Sequence, residues 1–187
     1  NGSNFLDGLN GLLSGYYLMI LVSIIFIESL NYEIDVLDID FIIIIFLALL
    51  IFFVFNIFGL VYLGDSGTYL LSLIIGFYLI KFNYYNDIVS PYYIALLLWY
   101  PAFENLFSLL RRVIKKKSAS SADNLHLHQL FFLFLKSKKI FNKKILNSVS
   151  SIIIILLNLP SIITANFYAT KSIPLLIILI TNIFFYL

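Results

Sequence analysis

The chain has no cysteine and only one methionine and one tryptophan. With no cysteine, neither a disulfide framework nor a thiolate metal site can form. Charge is scarce too: Asp, Glu, Lys and Arg make up 12% of the 187 residues, and hydrophobic residues make up 61%. A soluble domain has about 25% charged residues, so this chain cannot coat a globule of its size. Its mean hydropathy of +1.00 identifies an integral membrane protein. Strict polar–apolar alternation is absent from the long apolar runs, which excludes β-barrel strands. No signal peptide opens the chain, and its first residue is asparagine. The expectation is a single membrane domain over residues 1–187, the C-terminal portion of a larger protein.

What is present is long apolar runs and aromatic side chains, with 19 Phe and 13 Tyr. A spanning helix needs about 20 mostly apolar residues. Six runs approach this, at 11–28, 39–58, 67–82, 88–107, 145–163 and 172–187. Lipid offers no partner for backbone groups, so each run must be helical. The expected fold is all-α, a polytopic transmembrane helix bundle of about six spans.

Ten of the 12 basic residues lie between Arg111 and Lys144. The positive-inside rule makes the loop 108–144 cytoplasmic. Counting spans back puts residues 1–10 and the loop around Asp65 on the same side. The acidic loop 28–40, with Glu28, Glu33, Asp35, Asp38 and Asp40, falls outside. The basic run is explained by topology and by anionic lipid headgroups, so nucleic acid is not an expected partner.

Three polar stretches share the cytoplasmic side. In NGSNFLDGLNG, Asp7 has Asn4 and Asn10 three positions to either side, one face if residues 4–10 are helical. The plainer reading of Asp7 is a helix N-cap. In YLGDSGTYLL, Asp65 stands at a helix start between Gly64 and Gly67. GDSG echoes a protease serine, but Ser66 has no fold around it to supply a base and an oxyanion hole. A carboxylate there can hold Mg2+ alongside phosphate oxygens, and the glycines give a ligand clearance. Here too the plain alternative is an N-cap. The third stretch, FENLFSLLRRVIKKKSASSADNLHLHQL, carries Arg111, Arg112 and the two histidines of the chain, His126 and His128. H-x-H spacing puts both on one side of an extended segment. A zinc site would need a third ligand at a familiar spacing, and none is apparent. Together these groups suit a diphosphate meeting a lipid phosphate at the membrane surface.

In order, NFLDGLNGL, YLGDSGTYLL, YPAFENLFSLLRR and ADNLHLHQL resemble the polyprenyl-phosphate N-acetylhexosamine-1-phosphate transferases. This is the glycosyl transferase family 4 group that includes phospho-N-acetylmuramoyl-pentapeptide transferase. The resemblance implies transfer of a sugar 1-phosphate from a UDP-N-acetylhexosamine to undecaprenyl phosphate, releasing UMP, with Mg2+ or Mn2+. It implies Asp65 as metal ligand and catalytic group. Asn4, Asp7 and Asn10 would line the nucleotide pocket, His126 and His128 would contact substrate, and Arg111 and Arg112 would form a basic pair. It further implies a bacterial inner-membrane enzyme with a cytoplasmic active site, serving cell-wall or O-antigen synthesis, with a homodimer as a candidate assembly.

The departures are specific. The family has an adjacent aspartate pair in an earlier loop, and no Asp-Asp occurs here; the expectation is that the pair precedes residue 1. Pro-Ala is missing from NIFGLVYLGD, and Asn56 stands one position closer to Asp65 than usual. Gln129 replaces a histidine of H-x-H-H, and Asn124 replaces an arginine. H-x-H-Q points to the N-acetylhexosamine branch. The competing readings are a transporter segment with Asp65 as an intramembrane ion ligand, and an inactive fragment.

Overall fold

The computed structural model describes residues 2–30, 39–116, 125–139 and 141–187. Glu33, Asp35, Asp38, Lys117, Asp123 and Asn124 therefore lie outside the described residues. Among those described there is no strand, and the elements are helices. They are α1 (Gly2–Leu6), α2 (Leu12–Leu30), α3 (Ile39–Ile57), α4 (Gly64–Tyr85), α5 (Pro91–Leu97), α6 (Trp99–Ile114), α7 (Leu127–Lys138), α8 (Lys143–Phe167) and α9 (Ser172–Tyr186). The fold is all-α, as the apolar runs require.

α2 is the centre of the bundle, packed between α3 and α8. Its Leu12, Tyr16, Ile20, Leu21 and Ile24 are fully enclosed. α3 is apolar all round but buries only a narrow stripe, leaving Ile44, Leu47, Ile51 and Phe55 exposed. A helix apolar on its outer face belongs in lipid. Gly15 sets the approach of α2 to its neighbours, because a Cβ there would lie 2.5 Å from Ile155 Cδ1 and 2.9 Å from Phe53 Cε2.

All six expected runs are helical. Among the described residues, three helices can cross a membrane by length and composition: α2, α3 and residues Ile145–Phe167 of α8. α5 and α6 make a fourth if they form one bent span. α4 has the length, at 22 residues, but Lys81, Asn83 and its terminal tyrosine pair dilute its apolar character. α9 is a shorter apolar helix of 15 residues. The run 88–107 is not one straight helix, since α5 and α6 meet at 71°. Pro101 accounts for the break. It has no N–H to give the Leu97 carbonyl, and its ring would clash with that carbonyl in a continuous helix. The Leu97 carbonyl instead accepts from the Tyr16 hydroxyl at 3.0 Å.

Beyond the bend, α6 is amphipathic in an inverted sense. Glu104, Ser108 and Arg112, spaced four apart, are buried. Leu106, Leu110, Val113 and Ile114 face outward. The expected loop 108–144 thus contains the end of α6 and all of α7.

Candidate functional site at one end of the bundle

The site is organised around α1. This short helix packs against α4 on one side and α6 on the other. Gly2 allows the second contact: a Cβ there would lie 2.7 Å from the Pro101 carbonyl oxygen.

Toward α4, Asn4 Nδ2 donates to the Tyr69 hydroxyl at 3.3 Å. Thr68 Oγ1 donates to Asp7 Oδ2 at 3.2 Å. Tyr17 of α2 joins the same seam through Ser3 and through Ser72, the latter at 3.0 Å. Asp65 is exposed in the first turn of α4, three residues before Thr68. The helix-start expectation holds, but the capping alternative does not. Leu63 occupies the N-cap position and makes no side-chain cap bond, so Asp65 is already inside the helix. There the helix dipole favours its negative charge. Asp65 sits at an exposed helix end, not within the apolar length of α4 as an intramembrane ion ligand would.

The two carboxylates sense each other. Burial pushes the Asp7 carboxyl above its usual range, the Thr68 hydroxyl pulls it down, and the Asp65 charge pushes it up. Asp7 follows α1 and precedes α2 by five residues, so it is not the N-cap of α2.

The three-residue face of Asn4, Asp7 and Asn10 does not form, because α1 ends at Leu6. The following turn carries Asn10 toward α8. Its N–H donates to Asn147 Oδ1 at 2.6 Å, and its carbonyl accepts from Ser151 Oγ at 2.5 Å.

The glycines around Asp65 divide their roles. Gly64 adopts φ +64°, a left-handed conformation that strains other residues, and no atom approaches its Cβ position. Gly67 makes room for the chain itself: a Cβ there would lie 3.2 Å from Leu63 Cγ.

Toward α6 and α7, α1 covers the histidines. Both are buried, His126 at 2% exposure and His128 at 0%. His126 is the extended N-cap residue of α7, and His128 lies in the first helical turn. This brings their rings into parallel stacking, 5.5 Å apart at 8°. Phe5 stacks on His126 at 4.8 Å, and the Arg112 guanidinium lies 5.9 Å from the Phe5 ring centre. His128 Nε2 faces the bare Cα of Gly8, 3.2 Å from where a Cβ would be. Burial holds the His128 imidazole down at about 4, against an upward pull from Glu104. Arg111 turns to Phe107, 4.8 Å from the ring centre.

Residues 7 and 8 therefore join two half-sites, the Asp7 carboxylate to one side and the Gly8–His128 contact to the other. The predicted residues Asn4, Asp7 and Asp65 meet at the α1–α4 seam. Arg112, His126 and His128 meet at the α1–α6–α7 seam. Asn10 lies against α8. Among the described residues no three or more His, Cys, Asp or Glu side chains cluster to hold a metal ion.

Sequence reasoning missed Phe5, Thr68, Tyr69 and above all Glu104. Glu104 is fully buried and accepts from the Leu127 N–H at 2.9 Å, with His126 Nδ1 at 2.9 Å from its other oxygen. The signal was available: Glu104, Ser108 and Arg112 fall at i, i+4 and i+8, along one face of α6.

The family model for Glycosyl transferase family 4 matches residues 1–83. No curated protein and no solved structure matches the chain. The matched segment contains Asn4, Asp7, Asn10 and Asp65, whereas Glu104, the arginine pair and the histidines lie beyond it. That match is consistent with the family of phosphosugar transferases that the four motifs resemble.

Proposed function

We propose that the protein moves an N-acetylhexosamine 1-phosphate from a UDP-sugar to undecaprenyl phosphate, releasing UMP and initiating a cell-surface polysaccharide. One observation carries the reading: Asp7 and Asp65 converge beside the buried histidine pair at one end of an apolar bundle, within and next to the matched segment. The basic composition of residues 111–144 supports a cytoplasmic face for that end and a plasma-membrane location.

In this reading a lipid-phosphate oxygen attacks the sugar-bearing phosphorus, and the bond to the UMP oxygen breaks. Asp65 and Asp7 fit Mg2+. They are two carboxylates that repel each other, and Mg2+ needs only one or two carboxylates when phosphate oxygens and water complete its shell. Bound there, the cation would offset the charge on the diphosphate. The chain's own groups do the rest. Thr68 orients the Asp7 carboxylate and Tyr69 orients Asn4 at the nucleotide side. The positive charge of Arg112 lies beside Phe5 and the histidines, where phosphate charge would be received. His126 Nε2 and both nitrogens of His128 are buried and make no hydrogen bond within the protein, which leaves their hydrogen-bonding capacity for a substrate oxygen. Asn10, tied through its backbone to α8, fixes the turn that follows Asp7.

The test is substitution at Asp65 in membranes carrying the complete protein. Asp65→Asn is expected to abolish Mg2+-dependent UMP release from the UDP-sugar, and Ser66→Ala to leave it near wild type. Full activity in Asp65→Asn would overturn the metal assignment.

A further inference from the structure

Glu104 is an unusual side chain to bury. It lies on a helix whose outer face is leucine and valine, and it is completely enclosed. A carboxylate removed from water is costly unless its oxygens are satisfied. Here each oxygen meets the start of α7. Oε1 accepts from the Leu127 N–H at 2.9 Å. Oε2 lies 2.9 Å from His126 Nδ1, and His128 Nδ1 is 4.0 Å from Oε1.

Leu127 N–H is one of the donors that a helix start leaves without an intrahelical acceptor. The His126 side chain, at the N-cap position, does not cap it. Glu104 supplies that cap from another helix, and so docks the first turn of α7 onto α6.

The same carboxylate dictates the state of His126. An ionised carboxylate only accepts hydrogen bonds, so Nδ1 must carry the hydrogen and donate it. Nε2 is then the edge at which a proton is gained or lost. That Nε2 is buried and has no protein partner. A carboxylate on one imidazole nitrogen fixing the tautomer of the other is a general way to prepare a histidine for chemistry.

We propose that Glu104 is a positioning residue: it holds His126 as the Nδ1–H tautomer, with Nε2 presented to substrate, and it orients both imidazoles by capping α7. The assignment rests on the reading of the histidines as substrate-facing groups. It adds a residue outside the matched family segment, on a helix that carries no other acid.

Glu104→Gln separates charge and tautomer from shape. The glutamine Oε1 still accepts from Leu127, because a backbone N–H can only donate. Its amide NH2 then faces Nδ1 and forces that nitrogen to become the acceptor, moving the hydrogen to Nε2. In the complete protein, Glu104→Gln is expected to melt within a few degrees of wild type in detergent. KM for the UDP-sugar stays within about threefold, and kcat falls at least about 30-fold. The 15N spectrum of labelled histidine shows the Nδ1–H form of neutral His126 in wild type and the Nε2–H form in Glu104→Gln. The double variant with His126→Gln is no slower than His126→Gln alone, as expected when one residue acts through the other.

Wild-type kcat in Glu104→Gln, or losses that multiply in the double variant, overturns the proposal. If Glu104→Gln fails to fold, the wild-type spectrum decides by itself, and an Nε2–H form for His126 overturns the proposal. Full activity in His126→Gln instead overturns the reading of the histidines as site groups. The tautomer assignment then stands or falls on the two spectra.

Discussion

Removing the side chain of Asn56 tests how the loop leading to Asp65 is held against the turn that follows Asp7. Asn56 is 4% exposed at the end of α3. Its Oδ1 accepts from the Gly11 N–H at 2.7 Å and from Ser14 Oγ at 3.3 Å, and its Nδ2 donates to the Val61 carbonyl at 2.7 Å. Asn56→Ala strands a buried backbone N–H at Gly11 and frees a carbonyl at Val61. A buried group left without its partner costs about 1–3 kcal/mol. Val61 is 36% exposed and its carbonyl can take water, so Gly11 carries the larger share. The sum is about 3 kcal/mol, which for a domain of this size corresponds to roughly 6–12 °C in melting temperature. Ser14→Ala, which removes only the long 3.3 Å bond, is expected to cost under about 1 kcal/mol. The assay is thermal unfolding of the purified protein in detergent, with kcat/KM for UMP release measured alongside. Asn56→Ala should lower both, because the segment leading to Asp65 loses its anchor. A melting temperature within 2 °C (roughly 1 kcal/mol or less) of wild type would mean that Asn56 does not hold this loop.

Two further predictions follow from packing and burial. Gly15→Ala forces a Cβ against Ile155 and Phe53 and is expected to cost about 1–3 kcal/mol; adding Ile155→Val, which removes the nearest clashing carbon, should recover at least half of the lost melting temperature. His128 titrates at about 4 in the folded protein against about 6.5 unfolded. Its contribution to stability is therefore complete above pH 6.5 and is lost as pH falls toward 4, by about 3 kcal/mol in all. Asp7, whose carboxyl is raised, works in the opposite sense and loses its contribution as pH rises. Melting temperatures between pH 7.5 and 4.5 should drop for wild type and flatten in His128→Gln. An equally steep profile in that variant would contradict the assignment.

The helical, membrane character was legible because it depends on long apolar runs, which no tertiary contact can override in lipid. The helix start at Asp65 was legible from Gly64, whose left-handed φ permits the turn. The meeting of residues 1–10, Asp65 and the histidines was anticipated only as one shared side of a membrane. What brings them together is α1, a five-residue helix too short to announce itself in sequence. Its early end at Leu6 is also why Asn10 leaves the expected face. The break at Leu98 was hidden because YIALLLWYPAF reads as one apolar run, and Pro101 acts on a carbonyl four residues earlier. Glu104 was passed over because a single acid in a hydrophobic helix reads as an isolated charge until its partners, 22 and 23 residues on, are seen. Asn56, one position off the family pattern, proves to be a tie between α2, α3 and the loop leading to Asp65.

The central claim is transfer of phosphate together with sugar, and the fate of one phosphorus atom tests it directly. Membranes carrying the complete protein would be given undecaprenyl phosphate, Mg2+ and a UDP-N-acetylhexosamine labelled with 32P at the phosphate that bears the sugar. The account predicts that the label moves into the lipid fraction while unlabelled UMP is released. Label retained in released UDP, with sugar alone on the lipid, would contradict it.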